Sequence, residues 1–224
     1  MAEIINKNDF VEIKYTGYAN GEIFDSNIEE DMKKLSPNVK PNKTIIAVGH
    51  EMVVKGLDNF LVKKEIGKEY SLVLKPSEAF GERRRELIKT IPLNAFREKN
   101  FSPAPGMVVT LDNLMAKIIA VSGGRVIVDF NNPLAGKEIT YTFTIIRKIS
   151  DEKEKAEALF EVFFKFIPQF EIKDKILVKR AKGLEIFVSS FNEKFKELIG
   201  KEIILEEDKG LEGKIEEKSE QKNV

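Results

Sequence analysis

Residues 10 to 26 do most to limit what this chain can fold into. Val11, Ile13 and Tyr15 alternate with Glu12 and Lys14, a period of two that suits a strand buried on one face. Asn20-Gly21 follows, a dipeptide that favours a tight hairpin. The chain therefore opens with an antiparallel pair. Its second strand, Gly21-Glu22-Ile23-Phe24-Asp25-Ser26, sets a single carboxylate between an aromatic ring and a hydroxyl. Phe24 is expected to face inward, with Asp25 at the rim of whatever cavity forms there.

Ser26 and Glu29 have capping-box spacing and predict a helix through Leu35, closed by Ser36-Pro37. Lys43 to Val48 reads as a strand, Met52 to Lys64 as a helix, and Tyr70 to Leu74 as a strand ended by Pro76 and Gly81. From Arg83 the character changes. A short strand and helix over Leu87 to Phe96 lead into three strand-like runs, Met107 to Leu111, Leu114 to Val121 and Arg125 to Phe130, parted by Asp112-Asn113 and Ser122-Gly123-Gly124. Ile139 to Ile146 then resumes the alternation, which marks the strand-rich module as an insertion into a host domain.

After the charged stretch 151–155 comes a Phe-rich helix through Phe160, Phe163, Phe164 and Ile167, stopped by Pro168. Strands are predicted near Ile172 to Lys179 and Gly183 to Val188, a helix over Phe191 to Ile199, a strand over Glu202 to Leu205, and a frayed tail from Lys209. The class is α+β, with residues 1–84 plus 132–150 as host domain, 85–131 as insert and 151–224 as a carboxyl-terminal α+β domain. Phe160, Phe163, Phe164 and Phe166 spread too far around one helix for a single buried face, so this last domain is expected either to form a homodimer or to dock on another surface.

Charge and composition narrow the function. Thirty-seven basic and thirty-seven acidic side chains cancel, which removes a global electrostatic case for nucleic acid or an anionic membrane. Without cysteine, and with His50 as the one histidine, the chain lacks the means for disulfides, thiolate chemistry and most zinc sites, so neither metal nor cofactor is expected. The start has no secretory pattern and no apolar run approaches 18 residues, which points to a cytoplasmic protein.

Gly67, Gly136 and Gly200 each begin a Gly-Lys-Glu triplet, but none has the second glycine of a phosphate loop, and they read as turns into strands. Arg83-Arg84-Arg85 is flanked by Glu82 and Glu86 and reads as a solvated junction; His50 has no second ligand at useful spacing and reads as a turn residue. What remains is an apolar set, Tyr15, Phe24, Val53, Val54, Leu57, Phe80 and Tyr141, with Asp25 as its one charge. Residues alone leave ordinary core packing open for it.

The ordered motifs Tyr15-Thr16-Gly17, Gly21-x-x-Phe24-Asp25-Ser26, Val53-Val54-x-Gly56-Leu57, Gly67 and Pro76-x-x-Ala79-Phe80-Gly81 resemble those of FKBP-type peptidyl-prolyl isomerases. The module after Gly81, ending in Asn131-Asn132-Pro133-Leu134-Ala135-Gly136, is similar to the inserted flap of the SlyD-like branch, with Asn132 where that branch has histidine. The added carboxyl-terminal segment resembles the extension of long archaeal relatives. No metal-binding tail of the SlyD kind is present. The resemblance implies an antiparallel half-barrel sheet wrapped on a short helix. It further implies a pocket in which Tyr15, Asp25 and Tyr141 act on the twisting amide, while Phe24, Val53, Val54, Leu57 and Phe80 bind substrate. Leu57 would floor the proline ring, and the Val54 N–H would take a substrate carbonyl. Phe80 stands where many relatives carry a tyrosine hydroxyl.

The insert has its own signature. Apolar residues fall on both faces of its strands, in a module whose short helix can cover only one. Met107, Leu114 and Met115 are therefore expected to grip unfolded or proline-containing polypeptides. The implied function is isomerisation of Xaa-Pro bonds coupled to chaperone action; the alternative is a binding-only holdase with a vestigial pocket.

Overall fold

The computed structural model describes residues 3–36, 38 and 41–206, arranged around three β-sheets. The first sheet holds β1 (Phe10–Ala19), β2 (Glu22–Ser26), β3 (Thr44–Ala47), β4 (Glu69–Leu74) and, from the far side of the insert, the long strand from Ile139 to Ile149. All its pairings are antiparallel, and β1 is longer than either neighbour on one side: Thr16–Ala19 pairs with β2, Phe10–Ile13 with β3. Helix α1 (Glu29–Leu35) fills the connection between these two. Helix α2 (Lys55–Leu61) lies on the concave face, where Leu57 and Leu61 bury against Val11, Ile13, Ile46, Tyr141 and Phe143.

The insert forms its own sheet from β5 (Ile88–Pro92), β6 (Val108–Leu111), β7 (Leu114–Ser122) and β8 (Arg125–Asp129), ordered β5-β8-β7-β6. Helix α3 (Leu93–Arg97) lays Phe96 on Ala116, Ile118, Val126 and Val128. The chain then returns to the host sheet in β9, the strand Ile139–Ile149. Three two-residue hairpin loops in these sheets, Asn20-Gly21, Asp112-Asn113 and Gly123-Gly124, have positive φ at both residues. That is the type I′ geometry, whose twist matches the flanking strands.

Helix α4 (Glu152–Phe164) starts where Asp151 accepts the Glu154 N–H at 2.8 Å. It is followed by β10 (Phe170–Ile172), β11 (Ile176–Val178), α5 (Leu184–Ile199) and β12 (Ile203–Leu205), the last strand lying parallel to β11. Their core is shared with the host: Phe10, Ala47 and Ile149 pack with Phe160, Phe164, Phe195 and Ile176. Arg147 on β9 bridges Glu12 and Glu154 at 2.8 and 2.7 Å, tying the first turn of α4 to the same sheet.

Several local expectations are corrected. Gly183 to Val188 is not a strand; Gly183 adopts φ +88 and Leu184 begins α5. Leu184, Val188, Phe191, Phe195 and Leu198 follow helical spacing, and that longer period outweighs the β-branched Ile186 and Val188. The strand expected over Ile172 to Lys179 is a hairpin, the Lys173 N–H donating to the Lys175 carbonyl. Helix α4 ends at the left-handed Lys165, before Pro168. Helix α2 is shorter than Met52 to Lys64: Val54 and Val62 flank it with non-helical ψ, and Lys63 is left-handed. The capping box does not form, since Ser26 accepts the Ile28 N–H and turns its own hydroxyl to the Tyr15 carbonyl. Within the Phe-rich helix, Phe163 stacks on Phe191 and Phe164 packs on Phe187 and Phe195, so α5 covers most of the ring spread that suggested a partner chain. The tail expected to fray lies outside the described residues.

Candidate functional site

The pocket is built on a defect in β1. Between the stretches paired with β2 and β3, Lys14 and Tyr15 have no strand beside them on that edge. Asn27 fills the gap: its Oδ1 accepts the Tyr15 N–H at 2.8 Å, and its Nδ2 donates to the Ile13 carbonyl at 2.7 Å and to Thr44 Oγ1 at 2.9 Å. A side chain thus replaces a rung of the ladder, which holds Tyr15 in register. The sequence reading missed Asn27, and nothing in local spacing marks it.

A second irregularity explains how Phe24 and Asp25, neighbours that alternation would send to opposite faces, serve one cavity. Gly17 faces Asp25 and Tyr18 faces Ile23, so Phe24 is the extra residue of a β-bulge. Its ring turns inward, edge-on to Phe80 and Tyr141 with centroids 5.7 and 6.0 Å apart. Gly17 makes room for this. A Cβ there would come within 2.8 Å of Phe24 and 2.9 Å of Tyr141.

In this cluster Leu57 and Tyr141 are buried, Tyr15, Phe24, Val53, Val54 and Phe80 are half-buried, and Asp25 is exposed at its edge. Tyr15 donates its hydroxyl to Asp25 Oδ2 at 2.9 Å. Burial, reinforced by the Asp25 charge, raises both the Tyr15 and the Tyr141 phenols well above the ordinary tyrosine range. The protons stay on the phenols, and Asp25 stays an acceptor. Val54 lies at the start of α2, where the first N–H groups have no acceptor inside the helix. All eight expected pocket residues meet here.

Met107, Leu114 and Met115 lie elsewhere, on the insert, and do not share one face: Met115 stands opposite Thr110 on the side of Val108, whereas Leu114, opposite Leu111, and Met107 alternate to the other side. One face of its sheet presents Val108, Met115, Ile119 and Ile127 to solvent, with Val108 61% and Met115 70% exposed. Beside the β6 edge runs a groove of about 500 Å³ lined by Phe96, Phe101, Val109 and Leu111. The two chain crossings between insert and host are pinned. Gly136 N–H donates to the Gly81 carbonyl at 2.8 Å, Arg83 pairs with Asp129, and the Asn131 amide brackets the Arg84 backbone at 2.9 Å on both sides. Asn132, in place of histidine, accepts the Leu134 N–H at 2.8 Å and so turns Leu134 onto the pocket cluster.

The sequence profile of the FKBP-type peptidyl-prolyl cis-trans isomerase family matches residues 2–96, and that of "FKBP26, IF domain" matches residues 89–134. The short-type peptidyl-prolyl cis-trans isomerase of Methanocaldococcus jannaschii is 31% identical over 148 residues, covering 65% of this chain and 94% of that protein. The chain belongs to the FKBP-type peptidyl-prolyl cis-trans isomerase family. The FKBP-type isomerase SlyD of Helicobacter pylori is 28% identical over 158 residues, 67% of this chain and 78% of that one. SlyD of Treponema pallidum is 31% identical over 110 residues, 46% and 62% of the two chains.

Among the described residues, no group of three or more His, Cys, Asp or Glu side chains converges as a metal site, and no helix is long and apolar enough to cross a membrane. Gly67, Gly136 and Gly200 have φ of +79, +75 and +82 and stand just before β4, β9 and β12, so the three triplets are turns.

Proposed function

We propose that this isomerase acts on unfolded or partly folded polypeptides in the cytoplasm, the insert (85–131) holding the client while the pocket of the host domain (1–84 plus 132–150) turns its Xaa-Pro bonds. The observation that carries this reading is the cluster of Tyr15, Phe24, Phe80 and Tyr141 rings packed with Leu57, with the Tyr15–Asp25 hydrogen bond at its exposed edge. An Xaa-Pro bond rotates slowly because the planar amide must give up its conjugation at a barrier of about 18–20 kcal/mol. The twisted amide separates less charge than the planar one, so an apolar cavity stabilises it relative to water. About 4 kcal/mol of such preference gives roughly a thousandfold in rate.

In this mechanism Leu57 floors the proline ring and Tyr15, Phe24, Val53 and Tyr141 wall it. Phe80 closes one side through van der Waals contact, and the Val54 N–H takes the substrate carbonyl. Asp25 orders Tyr15 and adds a negative field at the amide; it moves no proton. The exposed apolar face carrying Val108, Met115 and Ile127 supports a gripping role for the insert. Met107 and Leu114, also exposed, belong to the other side of the sheet, with Val109 and Leu111 of the groove. Neither nucleic acid nor a membrane is part of this reading. A homodimer through residues 151 onward would use Phe166, Ile167, Ile186 and Phe187, the apolar side chains that α4 and α5 leave exposed.

The test is isomerisation of a short Xaa-Pro peptide and refolding of a proline-limited protein, measured for wild type, Asp25→Ala and an insert deletion. The two-site reading expects the deletion to keep peptide activity and to lose refolding activity. Wild type inactive on both substrates would leave the binding-only holdase.

A further inference from the structure

We propose that α5 holds the pocket loop 49–54 in place through His50, a positioning residue whose protonation loosens the pocket. This rests on the reading of Val53, Val54 and Leu57 as pocket residues. The His50 side chain is 4% exposed and sits between the host domain and α5. Lys194 Nζ lies 2.9 Å from its Nδ1, and Asn8 Oδ1 lies 2.7 Å from its Nε2. An ammonium can only donate. Nδ1 therefore accepts from Lys194, and Nε2 carries the proton that Asn8 receives.

His50 is wired to the pocket through its neighbours in the chain. Gly49 and Glu51 donate their N–H groups to the two oxygens of Asp58, at 2.8 and 2.7 Å, and Asp58 is buried on α2 beside the pocket floor Leu57. Two residues on, Met52 packs in both the host core and the core shared with α5, and Val53 and Val54 follow it directly. The loop that supplies one wall of the cavity is thus fixed at Asp58, at Met52 and at the His50–Lys194 contact.

The third fixing point depends on charge. From α5, Lys194 and Glu197 face the imidazole, with Glu197 Oε1 3.9 Å away. Lys7 from the segment before β1, Asp58 from α2 and the adjacent Glu51 complete the charged surroundings. Burial, and after it Lys194, hold the imidazole below its ordinary pKa against the pull of Glu197 and Asp58. A protonated ring has no lone pair for Lys194 and places a second cation against it, so Lys194 must leave, retaining Glu197 at 2.9 Å. The folded-state pKa lies below the unfolded value of about 6.5, so the unfolded chain binds the proton first. Stability from this contact is complete above that pH and falls as acid titrates the ring.

The experiment follows kcat/KM for an Xaa-Pro peptide between about pH 5 and 8 in the full chain, for wild type, His50→Gln and Lys194→Ala. It is paired with NMR titration of the His50 ring and of the Val53, Val54 and Leu57 amides. Glutamine can accept from Lys194 and donate to Asn8 but does not titrate. Wild type is expected to lose roughly threefold in kcat/KM as His50 protonates. The pocket amides should move at the same midpoint, Lys194→Ala should raise that midpoint, and His50→Gln should lack the acid limb. Asp25 is retained in all three proteins, so the difference between them isolates His50. An acid limb that persists unchanged in His50→Gln, or pocket amides that ignore the His50 titration, overturns the proposal. Wild type inactive at every pH would strike the pocket reading instead, and the amide titration would still decide this one.

Discussion

The isomerase pocket and the insert both expose apolar side chains, but they are made in opposite ways. In the pocket every ring leans on another: Phe24 on Phe80 and Tyr141, Tyr141 on Tyr15, with Leu57 beneath. On the insert, Val108, Met115 and Ile127 stand on a sheet face that nothing packs against among the described residues. A wall of mutually packed rings can discriminate between planar and twisted amides, because its geometry is fixed before substrate arrives. An open face of flexible and branched side chains discriminates little and can hold many sequences. On the proposed reading, selectivity for the reaction and tolerance of the client would be separated in space, with the crossings at Gly81–Gly136 and Arg83–Asp129 joining the two surfaces.

If that contrast is right, the pocket should be fragile and the insert face forgiving. The largest effect is expected at Gly17. A methyl group there would meet both Phe24 and Tyr141 below 3 Å, and those rings are already in mutual contact. Ordinarily alanine gains about 0.5–1 kcal/mol over glycine in a strand. Here overpacking, at about 1–3 kcal/mol, should win. Gly17→Ala is expected to lower the denaturant midpoint and to cut peptide kcat/KM at least about tenfold. Equal activity would mean the ring cluster is not the catalytic wall.

Asn27 comes next. Asn27→Ala removes three hydrogen bonds and leaves the Tyr15 N–H and the Ile13 carbonyl without their partner, a loss of about 2 kcal/mol. Asn27→Asp sharpens the test. The carboxylate can still accept from Tyr15 but sets an oxygen against the Ile13 carbonyl, so it should be no better than alanine. Chemical denaturation measures both variants, and aspartate matching wild type would show that the Ile13 bond carries nothing.

How much of this was legible in the sequence depends on the range of the interaction. The type I′ turns at Asn20-Gly21, Asp112-Asn113 and Gly123-Gly124 are local chemistry, as is the alternation of β1, and both could be read directly. The pocket set was legible through ordered motifs. The β-bulge that lets Phe24 and Asp25 share a face was not, because an extra residue leaves no mark on a two-residue period. Asn27 looks like any polar residue after a strand until the gap between β2 and β3 is known. Ser26 resembled a helix cap because its competing acceptor, the Tyr15 carbonyl, is 11 residues away. His50 is the turn residue its sequence suggests, but its partner Lys194 lies 144 positions further along and leaves no local mark.

The smallest effect on stability is expected where the apolar surface is largest. Val108 and Met115 point from β6 and β7 into solvent, and Val108 is paired across the strands with Lys117. Val108→Glu with Met115→Glu therefore buries no charge and gains a cross-strand neighbour of opposite sign, so stability should stay within about 0.5 kcal/mol of wild type. Peptide isomerisation, which needs only the pocket, should hold within about twofold. Refolding of a proline-limited protein should nevertheless drop roughly tenfold, because an apolar client segment would have to desolvate two carboxylates to dock. Refolding at the wild-type rate would remove the insert face from the function and leave the pocket to act alone.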